Sequence, residues 1–255
     1  MLLAVDIGNT NVTLGVFDGE QIRATWRMAT DVHKMADEYA AMLLNLLPHE
    51  NIATTDITGV AMCNVVPPLT TTFIGLSQRY FKTTPLIVEA GVKTGVRIRT
   101  DNPREVGADR IADAAAAHHL YGGPVIIIDL GTATTFGIIS REGDYIGGII
   151  ATGIATAAEA LYSRTAQLPR VDLVRPKTVI GTNTVTAIQS GVIYGYASLV
   201  EGMVARIRQE LGEKVTVVAT GGYAGLIAKE TSVIDTVNPD LTLIGLRLIY
   251  LMNKT

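Results

Sequence analysis

The feature that most constrains this chain is a pattern that occurs twice along it. In Leu2–Ile22, an aliphatic run ends at Asp6, a glycine follows two residues later, and a second alternating run leads to an Asp-Gly turn. The segment Val125–Ile150 has the same arrangement, with Asp129 at the position of Asp6. Alternating runs separated by such turns predict antiparallel strands. A repeat of this length therefore predicts that one structural unit is present in two copies.

The segments that follow each copy correspond as well. Helical spacing predicts helices over 36–47, 67–81, 105–121, 155–168, 183–211, 223–230 and 241–252, and apolar runs predict strands over 57–66, 85–88, 214–220 and 233–237. Three antiparallel strands followed by alternating helices and strands is the element order of the ribonuclease H-like fold. The prediction is therefore an α/β protein with a duplicated ribonuclease H-like fold of the actin and sugar-kinase superfamily. The predicted halves are residues 1–118 and 119–255, facing each other around a nucleotide cleft.

The composition excludes several other classes of protein. Hydrophobic residues are 48% and charged residues 18% of the chain, which excludes intrinsic disorder. The net charge of -3 gives no general basic excess for gripping a nucleic-acid backbone. Cys63 is the single cysteine, so an intramolecular disulfide is impossible and a reducing compartment is expected. No apolar run approaches the ~20 residues of a membrane span, so a cytoplasmic protein is predicted.

The turn after Asp6 has the composition of a phosphate-binding loop. Its sequence, Asp-Ile-Gly-Asn-Thr-Asn, offers backbone N–H groups and neutral side-chain donors. The chain has no G-x-x-x-x-G-K-[ST] and no G-x-G-x-x-G, so a phosphate would bind a turn between strands. A single copy is equally typical of a capped turn. The second copy favours function, because two facing turns would bring Asp6 and Asp129 to one cleft, where their repulsion calls for a cation such as a metal–triphosphate.

The segment Glu105–Arg110 is the second candidate. It places two acids and an arginine at the start of an alanine-rich helix. One interpretation is that the acids only stabilise the first helical turn and that Arg110 is a surface charge. The other is a catalytic carboxylate beside an arginine that binds an acidic substrate. The residues alone leave both open.

Taken in order, the motifs DIGNTN, EVGADR, DLGTATT, GGII-x-x-G, LPR, IG-x-NT…QSG…YGY and ATGG resemble those of type III pantothenate kinase. The resemblance extends from Leu3 to about Met252. It implies ATP-dependent phosphorylation of the primary hydroxyl of pantothenate, the first step towards coenzyme A. It also implies Mg²⁺ with ATP, a monovalent cation (K⁺ or NH₄⁺), and a homodimer with no nucleic-acid or membrane partner.

The resemblance also implies roles for individual positions. The residues implied to hold the ATP phosphates are Asp6, Ile7, Gly8, Asn9, Thr10, Asn11, Val12, Thr13 and Thr132. The residues implied to contact pantothenate are Gly107, Ala108, Asp109, Arg110 and Thr184. Asp109 is the implied general base, and Asp129 the implied ligand of the monovalent cation.

Two alternatives remain. A chain of this fold can act as a non-catalytic nucleotide-binding transcriptional regulator, although the net charge and the retained acids argue against it. It can also be another phosphotransferase of the superfamily, such as one acting on polyphosphate. A polyanion channel would need clusters of lysine and arginine, and the chain has only scattered ones.

Overall fold

The computed structural model describes residues 1–254. The strands are β1 (Leu2–Ile7), β2 (Asn11–Asp18), β3 (Gln21–Ala29), β4 (Gly59–Asn64), β5 (Leu86–Ile87), β6 (Val125–Leu130), β7 (Ala133–Ile139), β8 (Tyr145–Thr152), β9 (Thr216–Thr220) and β10 (Thr236–Val237). The helices are α1 (Ala36–Leu46), α2 (Thr70–Tyr80), α3 (Ala108–Tyr121), α4 (Ile154–Arg164), α5 (Thr184–Leu211), α6 (Ala224–Ile227) and α7 (Leu241–Asn253).

The two sheets have the same topology. One has the strand order β3-β2-β1-β4-β5, and the other, read in the same sense, has β8-β7-β6-β9-β10. In each sheet, the three strands that come first in the sequence pair antiparallel. The next two strands are parallel to the first of these three and extend the sheet on its other side. The predicted α/β duplication is therefore confirmed.

The first sheet is covered on both faces because successive side chains of β1 point to opposite sides. Leu3 and Val5 pack in one cluster with Tyr39 of α1 and Phe73 of α2. The alternate positions pack on the opposite face. Leu2 and Ala4 join Ala61 and Cys63 there, with Ala112 and Ala115 of α3 and Leu243, Leu246 and Ile249 of α7.

The second sheet packs against its own helices. Ile126, Ile128 and Leu130 of β6 form one cluster with Ile193 and Val200 of α5. The α5 helix begins where the Asn183 side chain accepts the N–H of Thr186 at 2.9 Å. It ends at Gly212, whose φ of 68° is the left-handed conformation typical of a helix end.

The chain divides into two compact units. The first is Met1–Ala116 together with the segment that begins at Leu241, and the second is Ala117–Asp240. The boundary after residue 116 lies inside α3, close to the expected 118. The difference is α7, which the expected division placed with the second half. Its apolar face packs on β1 and β4 of the first unit.

Most predicted elements agree with the structure to within a few residues. The helix expected to begin at Pro67 starts instead with a 3-10 turn over Pro67–Leu69, and α2 follows from Thr70. Prolines suit such a first turn because they lack the N–H that a helix start leaves unpaired. Within residues 1–254, no helix is both long enough and apolar enough to cross a membrane.

Candidate active site

The turn between β1 and β2 is the first part of the candidate site. The N–H of Gly8 donates to the carbonyl oxygen of Asn11 at 3.0 Å, which closes the turn. A Cβ on Gly8 would lie 3.0 Å from that oxygen, so the position favours glycine. Asn9, Thr10 and Asn11 are exposed at the tip, and Ile7 and Val12 are buried beneath it. The turn thus presents polar groups to solvent on a rigid apolar base.

Asp6 lies at the end of β1 on the face that carries Ala4. It is the parallel partner of Cys63 on β4, and the Cys63 thiol donates to Asp6 Oδ1 at 3.3 Å. Burial raises the pKa of the Cys63 thiol well above its usual value, and the negative charges of Asp6, Asp109 and Asp113 raise it further. Cys63 is therefore held as a neutral thiol that donates to Asp6. No sequence motif predicts this contact, because 57 positions separate the two residues.

Asp109 lies in the first turn of α3. Its Oδ1 accepts the N–H of Arg110 at 2.8 Å, and the positive end of the helix dipole favours a carboxylate there. A Cβ on Gly107 would lie 2.4 Å from the same oxygen, so a side chain at 107 would displace the carboxylate. Gly107, Ala108, Asp109 and Arg110 are all half-buried. Ala108 packs against the cluster that contains Ala4 of β1 and Cys63 of β4, and a Cβ on Gly107 would lie 3.8 Å from Val65 Cγ1, so the start of α3 lies against these strands within the first unit.

Arg110 follows directly on the α3 helix. Among the residues that the structure describes, its guanidinium makes no hydrogen bond or ion pair with a carboxylate of the protein. The binding of a substrate carboxylate by Arg110 stays a prediction.

The second unit repeats the turn. Asp129 ends β6, and the N–H of Gly131 donates to the carbonyl oxygen of Ala133 at 3.0 Å, as Gly8 does to Asn11. Gly221 lies beside it with a φ of +92°, and a Cβ there would be 2.3 Å from Asp129 Oδ1. The backbone at position 221 therefore packs directly against this carboxylate, and only glycine fits there. The Thr-Gly-Gly sequence at 220–222 thus lies against Asp129.

Thr132 is exposed at the tip of this second turn. Its carbonyl oxygen accepts the hydroxyl of Thr156 of α4 at 3.0 Å. A Cβ on Gly153 would come within 2.2 Å of the same carbonyl oxygen, so α4 can begin against this turn only after a glycine. The turn that holds Thr132 is therefore fixed by the start of α4.

Thr184 is the first residue of α5 and is exposed. It lines a cavity of about 850 Å³ between α4 and α5. Apolar side chains such as Leu161, Ile188 and Val192 form its interior, and Thr182, Asn183 and Thr184 add polar groups. An apolar cavity with a few polar groups is typical of a small-molecule site.

The turns offer a cation too few protein ligands, so a bound substrate would have to supply further oxygen atoms. Among residues 1–254, no three His, Cys, Asp or Glu side chains are grouped as a metal site. Mg²⁺ typically takes one or two carboxylates and completes its shell with water and substrate phosphates. The residues present fit that mode of binding and no all-protein cage.

Comparisons with known proteins agree on one family. The profile of the type III pantothenate kinase family matches residues 2–206. A type III pantothenate kinase from Dehalococcoides mccartyi strain CBDB1 is 58% identical over 253 residues, covering 99% of this chain and 96% of the relative. Its counterpart from strain 195 is 57% identical, covering 99% and 98%.

Solved structures share the fold at low identity. A Campylobacter jejuni protein described as a conserved Baf family transcriptional activator has a TM-score of 0.62 at 20% identity, covering 98% of both chains. A ROK hexokinase from Thermus thermophilus has a TM-score of 0.51 at 14% identity, covering 99% of both. The activator of 2-hydroxyisocaproyl-CoA dehydratase from Clostridium difficile, with bound ADPNP, scores 0.53 at 14% identity, covering 98% of this chain and 93% of its own. These similarities show the fold alone.

Proposed function

The chain belongs to the type III pantothenate kinase family, and on this basis we propose that it transfers the γ-phosphoryl group of ATP to the primary hydroxyl of pantothenate. The product, 4′-phosphopantothenate, enters coenzyme A biosynthesis. The observation that carries this proposal is the packing of the start of α3, which bears Asp109, against the strands that bear Asp6 and Cys63. It puts a turn suited to phosphate beside a carboxylate suited to accept a hydroxyl proton.

Asp109 is the proposed general base. The N–H of Arg110 and the helix start orient its carboxylate, and the second oxygen can accept the proton of the pantothenate hydroxyl. Phosphoryl transfer passes through a loose transition state, so a base is needed only late in the reaction. Arg110 supplies the charge for the carboxylate of pantothenate, with Gly107, Ala108 and Thr184 as further contacts. A guanidinium binds a carboxylate through two parallel hydrogen bonds.

The proposed phosphate contacts are the segment from Asp6 to Thr13 and Thr132. We propose Mg²⁺ as the divalent ion that accompanies ATP, and K⁺ or NH₄⁺ as the monovalent ion at Asp129. When bound, these cations neutralise charge that develops on the phosphates. The second assignment is supported by the position of Asp129 in the repeat, which corresponds to that of Asp6.

We also propose that the enzyme is a cytoplasmic homodimer without a nucleic-acid or membrane partner. Large apolar side chains of the second unit support a dimer, because Ile150 and Ile180 are 65% and 81% exposed. Apolar residues this exposed are typical of an interface. Light scattering of the purified protein measures the oligomeric state.

The decisive experiment measures ADP release with and without pantothenate, at matched concentrations of K⁺, NH₄⁺ and Na⁺. Pantothenate-dependent release that requires K⁺ or NH₄⁺ is the expected result. Release without pantothenate, or with a sugar or polyphosphate instead, would select another phosphotransferase. Nucleotide binding without turnover would select the regulator.

A further inference from the structure

Thr30 follows β3 and contacts the β1–β2 turn at two points. Its hydroxyl donates to the carbonyl oxygen of Gly8 at 2.6 Å, and its N–H donates to the carbonyl oxygen of Thr10 at 3.0 Å. The residue is half-buried and lies outside every motif singled out in the sequence. One residue thus holds two of the carbonyl groups at the tip of this turn.

These two bonds fix the direction of two peptide groups. In a planar trans peptide, the carbonyl and the following N–H point to opposite sides. The N–H groups of Asn9 and Asn11 are therefore directed to the side of the turn away from Thr30. Carbonyl oxygens turned to that side would repel an anion, whereas N–H groups attract one.

Thr30 is itself anchored to the hydrophobic core through its neighbour Asp31. The N–H of Asp31 donates to the hydroxyl oxygen of Tyr39 at 2.9 Å, and that hydroxyl donates to the carbonyl of Asp31 at 3.1 Å. Tyr39 is 1% exposed, and its ring lies 5.0 Å from that of Phe73. A series of contacts through Asp31 and Thr30 therefore connects the packed aromatic rings of the core to the exposed turn.

We propose that Thr30 is a positioning residue for nucleotide binding. It holds the carbonyls of Gly8 and Thr10 away from the phosphates and so directs N–H groups of the turn towards them. This inference rests on the proposed function, in which the turn binds the phosphates of ATP, and it adds a residue to which that proposal gives no role.

The test compares Thr30→Val with Thr30→Ser. Valine keeps the β-branched shape and the backbone N–H but removes the hydroxyl, whereas serine restores the hydroxyl. Thr25→Val is the matched control, because Thr25 is exposed on β3, the strand that precedes Thr30. The readout is the Kd of Mg·ATP by titration calorimetry without pantothenate. One lost hydrogen bond predicts a rise of about five- to tenfold for Thr30→Val, and wild-type values within about twofold for the other two variants.

A Kd unchanged in Thr30→Val, or raised equally in Thr30→Val and Thr30→Ser, would overturn the inference. So would a lower melting temperature with no change in Kd, because that describes a purely structural residue. A wild-type protein that does not bind Mg·ATP would overturn the inference and the proposed function together. The expected order of Kd values without pantothenate turnover would support the inference and refute only the proposed acceptor.

Discussion

The contact between Asp6 and Cys63 shows how strand register builds a site from single residues. Asp6 shares a face of β1 with Ala4, and parallel pairing places Cys63 directly beside it on β4. The carboxylate Oδ1 then accepts a hydrogen bond from the thiol at 3.3 Å. The thiol is a neutral donor, so it orients the carboxylate without adding a positive charge next to it.

The raised pKa of Cys63 makes stability depend on pH in a defined direction. The ordinary pKa of a cysteine thiol is 9.0. Above this pH the unfolded chain loses the thiol proton, while the folded protein keeps it because its thiol pKa is higher. The free energy of unfolding should therefore be unaffected by this group below that pH, and should fall by about 1.4 kcal/mol per pH unit above it until the folded thiol ionises.

Cys63→Ser removes the ionisation and keeps a donor, so urea unfolding of both proteins at pH 7.5 and pH 10 isolates the effect. We expect the wild type to lose more stability than the serine variant between the two values. Parallel losses would show that the thiol titrates normally in the folded state.

Asp109→Asn tests the proposed base. The amide keeps the size of the side chain but cannot accept the hydroxyl proton, so kcat should fall by roughly 10²–10⁴-fold. The Kd of Mg·ATP should stay within about twofold, because the β1–β2 turn is unaltered. Asp18→Asn, an exposed change at the end of β2, is the control and should leave both values unchanged. A near-normal kcat for Asp109→Asn would remove its role.

Recurring motifs in the sequence indicate candidate site residues, whereas contacts that depend on strand pairing could not be predicted. Asp6 and Asp129 could be identified because the repeat placed both after an aliphatic run. Cys63 is 57 positions from Asp6, and only the parallel register of β1 and β4 brings them together. Thr30 could not be found, because its two donors acquire meaning only when β3 lies beside β2 and extends past it.

At the scale of elements, the close crossing of α3 and α7 depends on one glycine. A Cβ on Gly245 would lie 1.9 Å from the carbonyl oxygen of Ala112 and 2.4 Å from its carbonyl carbon. Both atoms are backbone, so the helices would have to separate. Separation would also open the cluster that joins both helices to the first sheet.

Gly245→Ala should therefore destabilise the protein by about 1–3 kcal/mol, the usual cost of overpacking. Gly75→Ala in α2 is the matched control. Its Cβ would meet Ala36 Cβ at 3.9 Å, an ordinary contact, and alanine favours a helix by about 0.5–1 kcal/mol over glycine. Urea unfolding should show opposite signs for the two variants. Equal shifts would indicate that the helix crossing has room for a methyl group.

The types of the elements could be predicted better than their ends. The expected strands over 85–88 and 233–237 shorten to β5 and β10, two residues each, because they lie at the edges of the sheets and pair with one neighbour only. The expected helix over 223–230 shortens to α6, four residues. Periodicity detects burial, but the hydrogen bonds that end a short edge element depend on the rest of the fold.

At the scale of the whole molecule, the chain returns to its first unit after completing the second. The sequence predicted α7 correctly as an apolar helix but placed it with the neighbouring residues of the chain. The hydrophobic pattern of α7 indicates that one face of the helix is buried, but it does not indicate which sheet covers that face. The answer depends on the face of the first sheet that carries Leu2 and Ala4, where the small side chains of Ala61 and Cys63 leave room for a helix.

A substitution near the C-terminus should therefore destabilise the N-terminal unit. Leu246 is fully buried in the cluster on the first sheet, so Leu246→Ala should cost about 2–5 kcal/mol. Leu251 of the same helix is 50% exposed, and Leu251→Ala should cost less than about 1 kcal/mol. Trp26, the single tryptophan, lies on β3 and reports on the first unit by fluorescence. Its unfolding transition should move to lower urea in the Leu246 variant and stay in place in the Leu251 variant. A fluorescence transition unchanged by Leu246→Ala would mean that α7 does not stabilise the unit that begins the chain.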